Sequence, residues 1–192
     1  MDETLTQEAI LDFWFGRPES AEYGTERDYW FRKNPAFDAE LTRRFRRAIE
    51  TALGGGFSEW SSPRGTLARI LLLDQFTRNS FRDTARAFAG DALALSLADQ
   101  AIARGDDRGL ANVERWFMYM PFVHAESPSA QQRSLELFRR LRDDGLGSPL
   151  SWAERHAELI LRFGRFPHRN SILGRASTPE EIAFLRAPGS RF

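Results

Sequence analysis

The sequence predicts an all-α fold, with about eight or nine helices joined as antiparallel hairpins in one domain. Three observations carry this. Apolar residues recur three and four positions apart along most of the chain. Helix-starting and helix-stopping residues flank each such run. No stretch alternates apolar and polar residues long enough for a strand. The 192 residues suit one domain spanning 1–192, and no linker is long enough to divide it.

The elements follow in order. Thr4 and Gln7 have capping-box spacing before Ala9, Ile10, Phe13 and Trp14. Asn34 and Pro35 read as N-cap and first helical residue, Phe37, Leu41, Phe45 and Ala48 continue the face, and Gly54, Gly55 and Gly56 stop it. Ser62 and Pro63 start the next helix, which sets Leu67, Ile70, Leu71 and Asp74 on one side. Asp83 or Thr84 is expected to open a long helix through Phe88, Ala92, Leu95 and Ile102, ending near Gly105. Leu110 to Tyr119 is helical, and Pro121 is expected to end it. Ser127 and Pro128 open a helix stopped by Gly145. Ser151 and Glu154 form an expected capping box for a helix reaching Phe163, and Thr178, Pro179 and Glu181 start a short last one.

Composition narrows the function classes. Sixteen Phe and five Trp supply a heavy apolar load for a core. The 27 basic and 27 acidic residues cancel, which speaks against general nucleic-acid or membrane-surface binding. Zero cysteines exclude disulfides and thiol chemistry and fit a reducing compartment. Met1 to Ile10 carries acids rather than a basic region before an apolar core, so no signal peptide is expected, and apolar runs such as Ile70 to Leu73 are too short to span a bilayer. The cytoplasm is the expected location.

Four segments carry polar residues within apolar surroundings. In the first, Asp74 sits on the apolar face and Arg78 follows four positions later, so the two can pair; Asn79 and Arg82 are further candidates for a ligand. In the second, His124 and Glu126 fall in the expected break after Pro121, before a helix start whose free N–H groups favour anions. His124 has the chemistry of a general acid or base. In the third, His156 follows a capping box and faces the side of Leu159 or Ile160. In the fourth, Gly164 and Pro167 break a helix and present Arg165, His168, Arg169 and Asn170 from a turn. Arginines there can grip phosphate or carboxylate in pairs of bonds. Each segment has a plain alternative: an Asp–Arg brace, satisfied core histidines, and cations at the negative end of a helix. The three histidines lack the spacing of a helix-borne metal pair, and no metal is assigned. Phosphate-loop, dinucleotide, nucleophile-elbow and C-x-x-C motifs are absent, and the sequence leaves any cofactor unknown.

Together these segments resemble a known family. Leu71 to Arg82, Glu114 to Glu126 and His156 to Thr178, with Ile10 to Gly16 and the pair Trp30 and Phe31, resemble the bacterial domain-of-unknown-function family numbered 924 over nearly the whole chain. The resemblance implies a TPR-like helical fold and no particular activity. Two departures stand out: Thr77 occupies a position where the family has proline, and Val123 and Ala125 replace a usual Glu and Ser.

The functional expectation is one site for a small anionic or polar ligand, lined by Asp74, Arg78, Asn79, Glu126, His156, Arg165, Arg169 and Asn170, with His124 and His168 as acid–base groups. The alternative is an adaptor that binds a peptide or protein in a helical-repeat groove. RNA binding through the arginine pairs ranks last, because acids are spread among them.

Overall fold

The computed structural model describes residues 5–187, and every regular element among them is helical. The α-helices are α1 (Gln7–Phe15), α2 (Pro35–Leu53), α3 (Pro63–Leu71), α4 (Thr77–Ser80), α5 (Asp91–Arg104), α6 (Asn112–His124), α7 (Pro128–Asp143), α8 (Leu150–Phe163) and α9 (Pro179–Arg186). A π-helical turn, Leu72–Phe76, joins α3 to α4 without a break, so the two form one rod and the described residues hold eight helices. Short 3₁₀ turns punctuate the loops, among them Ala85–Phe88 and Pro167–Arg169.

The helix starts follow local chemistry. Asn34 Oδ1 accepts the Phe37 N–H at 3.1 Å, and Ser62 Oγ accepts that of Gly65 at 3.0 Å. Thr178 and Glu181 exchange side-chain bonds with each other's backbone N–H, at 3.2 and 2.7 Å. Each such cap contributes about 1 kcal/mol to its helix. Gly105 and Gly164 end α5 and α8 in the left-handed region, with φ of 79° and 70°.

Four boundaries differ from the sequence expectations. The proposed Thr4 cap lies outside the described residues, and Thr6 caps α1 by accepting the Ala9 N–H at 3.2 Å. The long helix expected from Asp83 is a 3₁₀ turn followed by α5, because Asp83 takes a left-handed φ of 61° that no helix tolerates. Ser151 does not cap α8; the helix starts earlier, at Leu150, whose side chain joins the core. Pro121 does not end α6, which runs on to His124. A distant side chain makes that extension stable. Gln131 Nε2, buried on α7, donates to the carbonyls of Phe122, Val123 and Ala125 at 3.2, 2.8 and 2.8 Å. The Phe122 carbonyl also accepts the Ala125 N–H at 3.3 Å, whereas those of Val123 and Ala125 lie past the last helical donor.

The main core runs from Ile10 to Ala153. Its centre is aromatic: Trp14 stacks on Trp30 at 6.0 Å, and Phe117 meets Trp14 and Trp30 edge-on at 5.4 and 4.7 Å. Each such ring removed from water stabilises the fold by roughly 2–3 kcal/mol. α3 lies in the middle, against α1, α5 and α6, while α7 packs on both α6 and α8. A second small cluster, Leu159, Ile160 and Phe166, gathers Phe163 and Phe184 beside the last helix. No described helix is long and apolar enough to cross a membrane.

Candidate functional site

The polar residues meet where the π turn, the start of α5, the end of α6 and the Pro167–Arg169 turn converge. Asp74 stands within the π turn and is 0% exposed. Such turns are rare and recur at functional sites. Its carboxylate is surrounded by donors: Oδ1 lies 2.6 Å from His124 Nδ1 and 3.2 Å from Arg78 Nε, and Oδ2 accepts from Gln75 Nε2 at 2.5 Å. Thr77 Oγ1 donates to the Leu72 carbonyl at 2.7 Å, so threonine supplies a partner to the turn that a proline there could not.

Two arginines complete the network. Arg78 and Arg169 hold the two oxygens of Asp91, at 2.7 and 3.2 Å, and Arg169 also donates to the carbonyl of His124 at 2.9 Å. The second contact sets a cation at the negative end of α6. Both guanidinium groups face the Phe88 ring, at 5.2 and 4.5 Å, and that of Arg169 also covers Phe166 at 4.7 Å. Arg169 Nε is buried and has no hydrogen-bond partner among the described residues. Gly90 brings Asp91 into place. A Cβ at Gly90 would stand 2.1 Å from the Leu73 carbonyl oxygen, so only glycine lets α5 start against the π turn.

The histidines form a chain beside this network. The rings of His124 and His156 are 6.3 Å apart, His156 meets Phe166 at 5.4 Å, and Phe166 meets His168 at 5.7 Å. His156 Nδ1 lies 2.8 Å from the Trp152 carbonyl, which makes that nitrogen the protonated one. Burial pushes all three imidazoles below their ordinary pKa. For His156 the result is about 3, with the neighbouring His124 adding to the effect; for His168 it is about 4, with Arg169 and Arg78 adding. For His124, burial and Arg78 outweigh the pull of Asp74. Burial alone would raise the Asp74 carboxyl, yet His124, Arg78 and the Gln75 bond hold it well below the carboxylate range. Burial and the charge of Arg78 lower Arg169 to about 10, against the opposing pull of Asp91. At neutral pH the arrangement is therefore an ionised Asp74 and a neutral His124 whose Nδ1–H donates to it. The Nε2 of His124 is left as a proton acceptor. The His124 side chain is 12% exposed, so the edge of the network reaches solvent.

Of the residues singled out by sequence, Asp74, Arg78, His124, His156, His168 and Arg169 come together. Glu126 borders them, held by Arg175 at 2.6 and 2.9 Å and by the Phe166 N–H at 2.7 Å. The others turn elsewhere. Asn79 accepts from Arg82 at 3.0 Å, and Arg82 grips Asp38 of α2. Arg165 pairs with Glu181 at 2.7 Å and ties α9 to the turn after α8. Asn170 donates to Ser177 and Glu181 and accepts from Arg175. Asp91, Phe88 and Arg175 were not anticipated. For Asp91 a signal did exist: an acidic residue directly after a glycine, at what proves to be a helix start. Among the described residues no group of three or more His, Asp or Glu side chains is arranged to hold a metal.

Two clefts lie away from this network. One of about 180 Å³ opens between α3, α5 and the end of α2. One of about 410 Å³ sits beside buried Glu114, which accepts from Tyr23 at 3.0 Å and from Arg64. The Glu114 carboxylate also accepts the Ala111 N–H at 3.1 Å, so it braces the start of α6.

Residues 10–189 match a family described as bacterial protein of unknown function (DUF924). The chain belongs to the DUF924 family. No curated protein matches it. Among solved structures it is similar to a protein of unknown function from Agrobacterium tumefaciens, with 43% identity and a TM-score of 0.83, covering 94% of this chain and 96% of that one. In this DUF924 chain Val123, next to His124 in sequence, is 2% exposed and lies in the core.

Proposed function

We propose that this DUF924 protein binds a small anionic or polar ligand at the seam between Arg78, His124, His168 and Arg169, with His124 as its proton-transfer group. The observation that carries the reading is the contact of His124 Nδ1, 2.6 Å from a fully buried carboxylate, with two arginines set beside the ring. Fixing Nδ1 in this way orients Nε2 as a base, and a carboxylate behind it stabilises the imidazolium that forms when it takes a proton. Arg78 and Arg169 then supply positive charge to an anion. A purely structural role explains this network less well. Replacing a buried ion-pair network by apolar side chains is often neutral, or stabilising by about 1–4 kcal/mol. In this reading residues 1–192 form one TPR-like, cytoplasmic domain whose helices serve as the frame for the seam.

An adaptor reading would draw on Trp152 and Leu161 of α8, which are 47% and 87% exposed. At about 100° per residue, positions 152 and 161 point to opposite sides of the helix, so they cannot line one groove.

The test is a thermal-shift screen of inorganic phosphate, sulfate and small di- and tricarboxylates against the purified chain. A ligand present at 100 times its Kd adds about 2.7 kcal/mol to stability. The expected result is a rise in melting temperature that Arg169→Gln abolishes and the remote Arg165→Ala leaves intact. Equal shifts in the wild type and Arg169→Gln would contradict the reading.

A further inference from the structure

The described residues include ten arginines that are buried or half-buried, and nine of them pair with a carboxylate. The exception is Arg69, on α3, whose side chain makes no hydrogen bond, ion pair or ring contact among the described residues. The residue is half-buried, and its guanidinium is still reached by water. Its side chain lines the cleft of about 180 Å³ between α3, α5 and the end of α2. The floor is apolar, made by Leu73 and Leu97, and Leu93 stands at the mouth with 43% of its surface exposed. Ser96 and Gln100 supply the polar edge, where Gln100 Nε2 donates to Ser96 Oγ at 3.0 Å. The Ser96 hydroxyl hydrogen has no acceptor among the described residues, so it remains to be given.

We propose that this cleft is a second binding site, for a small carboxylic acid with a short apolar chain. Elsewhere in this protein a half-buried guanidinium is matched by a carboxylate, and here the match is left for a ligand to supply. The guanidinium fork takes one or both carboxylate oxygens, and the Ser96 hydroxyl adds a neutral bond. The hydrocarbon tail covers Leu73 and Leu97 and removes the exposed face of Leu93 from water. The volume sets the size. A space of about 180 Å³ equals the liquid share of about six water molecules, which suits an acid of about four to six carbons. The site is separate from the histidine seam. The two lie near each other in the chain at Leu73, which precedes Asp74 in the π turn, and along α5, which starts at Asp91 and lines the cleft from Leu93 onward.

The experiment is an NMR chemical-shift titration of the isotope-labelled chain with 3-methylbutanoate. A parallel arm uses 3-methylbutan-1-ol, which keeps the tail and lacks the charge. Another uses a short peptide ending in leucine, which offers the same carboxylate from a macromolecular source. The acid is expected to shift the amides of α3 and α5 around Arg69 and Ser96, and the alcohol and peptide to leave them unmoved. Arg69→Gln should weaken the acid about tenfold, the usual scale for one charge-assisted contact. Ser96→Leu, which fills the mouth and keeps the charge, should weaken it as well. Arg169→Gln should leave the affinity unchanged, which separates this site from the histidine seam. Arg69 has no internal partner to lose, so its substitution is expected to fold with an unaltered melting curve. The proposal is overturned if the acid does not bind, if Arg69→Gln binds it as well as the wild type, or if only the peptide binds.

Discussion

Lowering the pH from 7 to 5 should remove about 4 kcal/mol of folding stability, through His156 and His168. Both imidazoles are held neutral by burial, with folded pKa values of about 3 and about 4 against about 6.5 in an unfolded chain. A group whose folded pKa is depressed binds its proton more readily when unfolded. Its contribution to stability is therefore complete above pH 6.5 and lost as the pH falls toward the folded value. At pH 5 the unfolded chain is about thirtyfold favoured by protonation at each histidine, which is about 2 kcal/mol per residue. His124, shifted in the same direction, adds to the loss. The carboxyls of Asp74, Glu126 and Glu181 are all held low and respond only at more acid pH, so the two effects occupy separate windows. Urea unfolding followed by tryptophan fluorescence at pH 7, 6 and 5 measures the change. His156→Asn retains a donor for the Trp152 carbonyl and should recover about 2 kcal/mol of the loss at pH 5. Stability that changes by less than about 1 kcal/mol over this range would refute the assignment of neutral, buried histidines.

Three further outcomes follow from the same contacts. Asp74→Asn should destabilise the fold by about 3–5 kcal/mol, since it leaves Arg78 and His124 facing a neutral amide in a buried place; denaturant midpoints at pH 7 would show it. Gly90→Ala should cost about 1–3 kcal/mol, because the added methyl meets the Leu73 carbonyl and moves Asp91 away from both arginines; a melt of this variant beside Asp91→Asn would separate the steric from the ionic part. Gln131→Leu should cost about 1–3 kcal/mol and speed hydrogen exchange in the segment after α6, since the carbonyls of Val123 and Ala125 lose their donor and that of Phe122 keeps only the Ala125 N–H.

Much of the fold was legible because helix ends are written locally. Asn34 with Pro35, Ser62 with Pro63, and Thr178 with Glu181 cap in the structure through the atoms their types suggest. The misread boundaries have non-local causes. Pro121 carries a helix-breaking signal, but Gln131 satisfies the carbonyls beyond it from another helix. The π turn leaves no mark in local spacing, because all five of its residues are buried and no exposed face is left to show the change of register. The candidate site was half legible. Asp74 and Arg78 share a helix face at four-residue spacing, and the histidine segments stand out by composition. Asp91 could not be tied to them, since its place depends on Gly90 lying against Leu73. Asn79, Arg165 and Asn170 look like ligand groups in sequence and brace neighbouring segments in the structure, because polar type alone does not say which way a side chain turns.

The central claim concerns the protonation and reach of His124, and long-range ¹H–¹⁵N NMR of its ring tests it most directly. At pH 7 the ring should be neutral, with the proton on Nδ1 and a bare Nε2. Adding inorganic phosphate should perturb Nε2 in the wild type and leave it unchanged in Arg169→Gln. A doubly protonated ring at pH 7, a proton on Nε2 instead, or a ring indifferent to every anion in the screen would contradict the account.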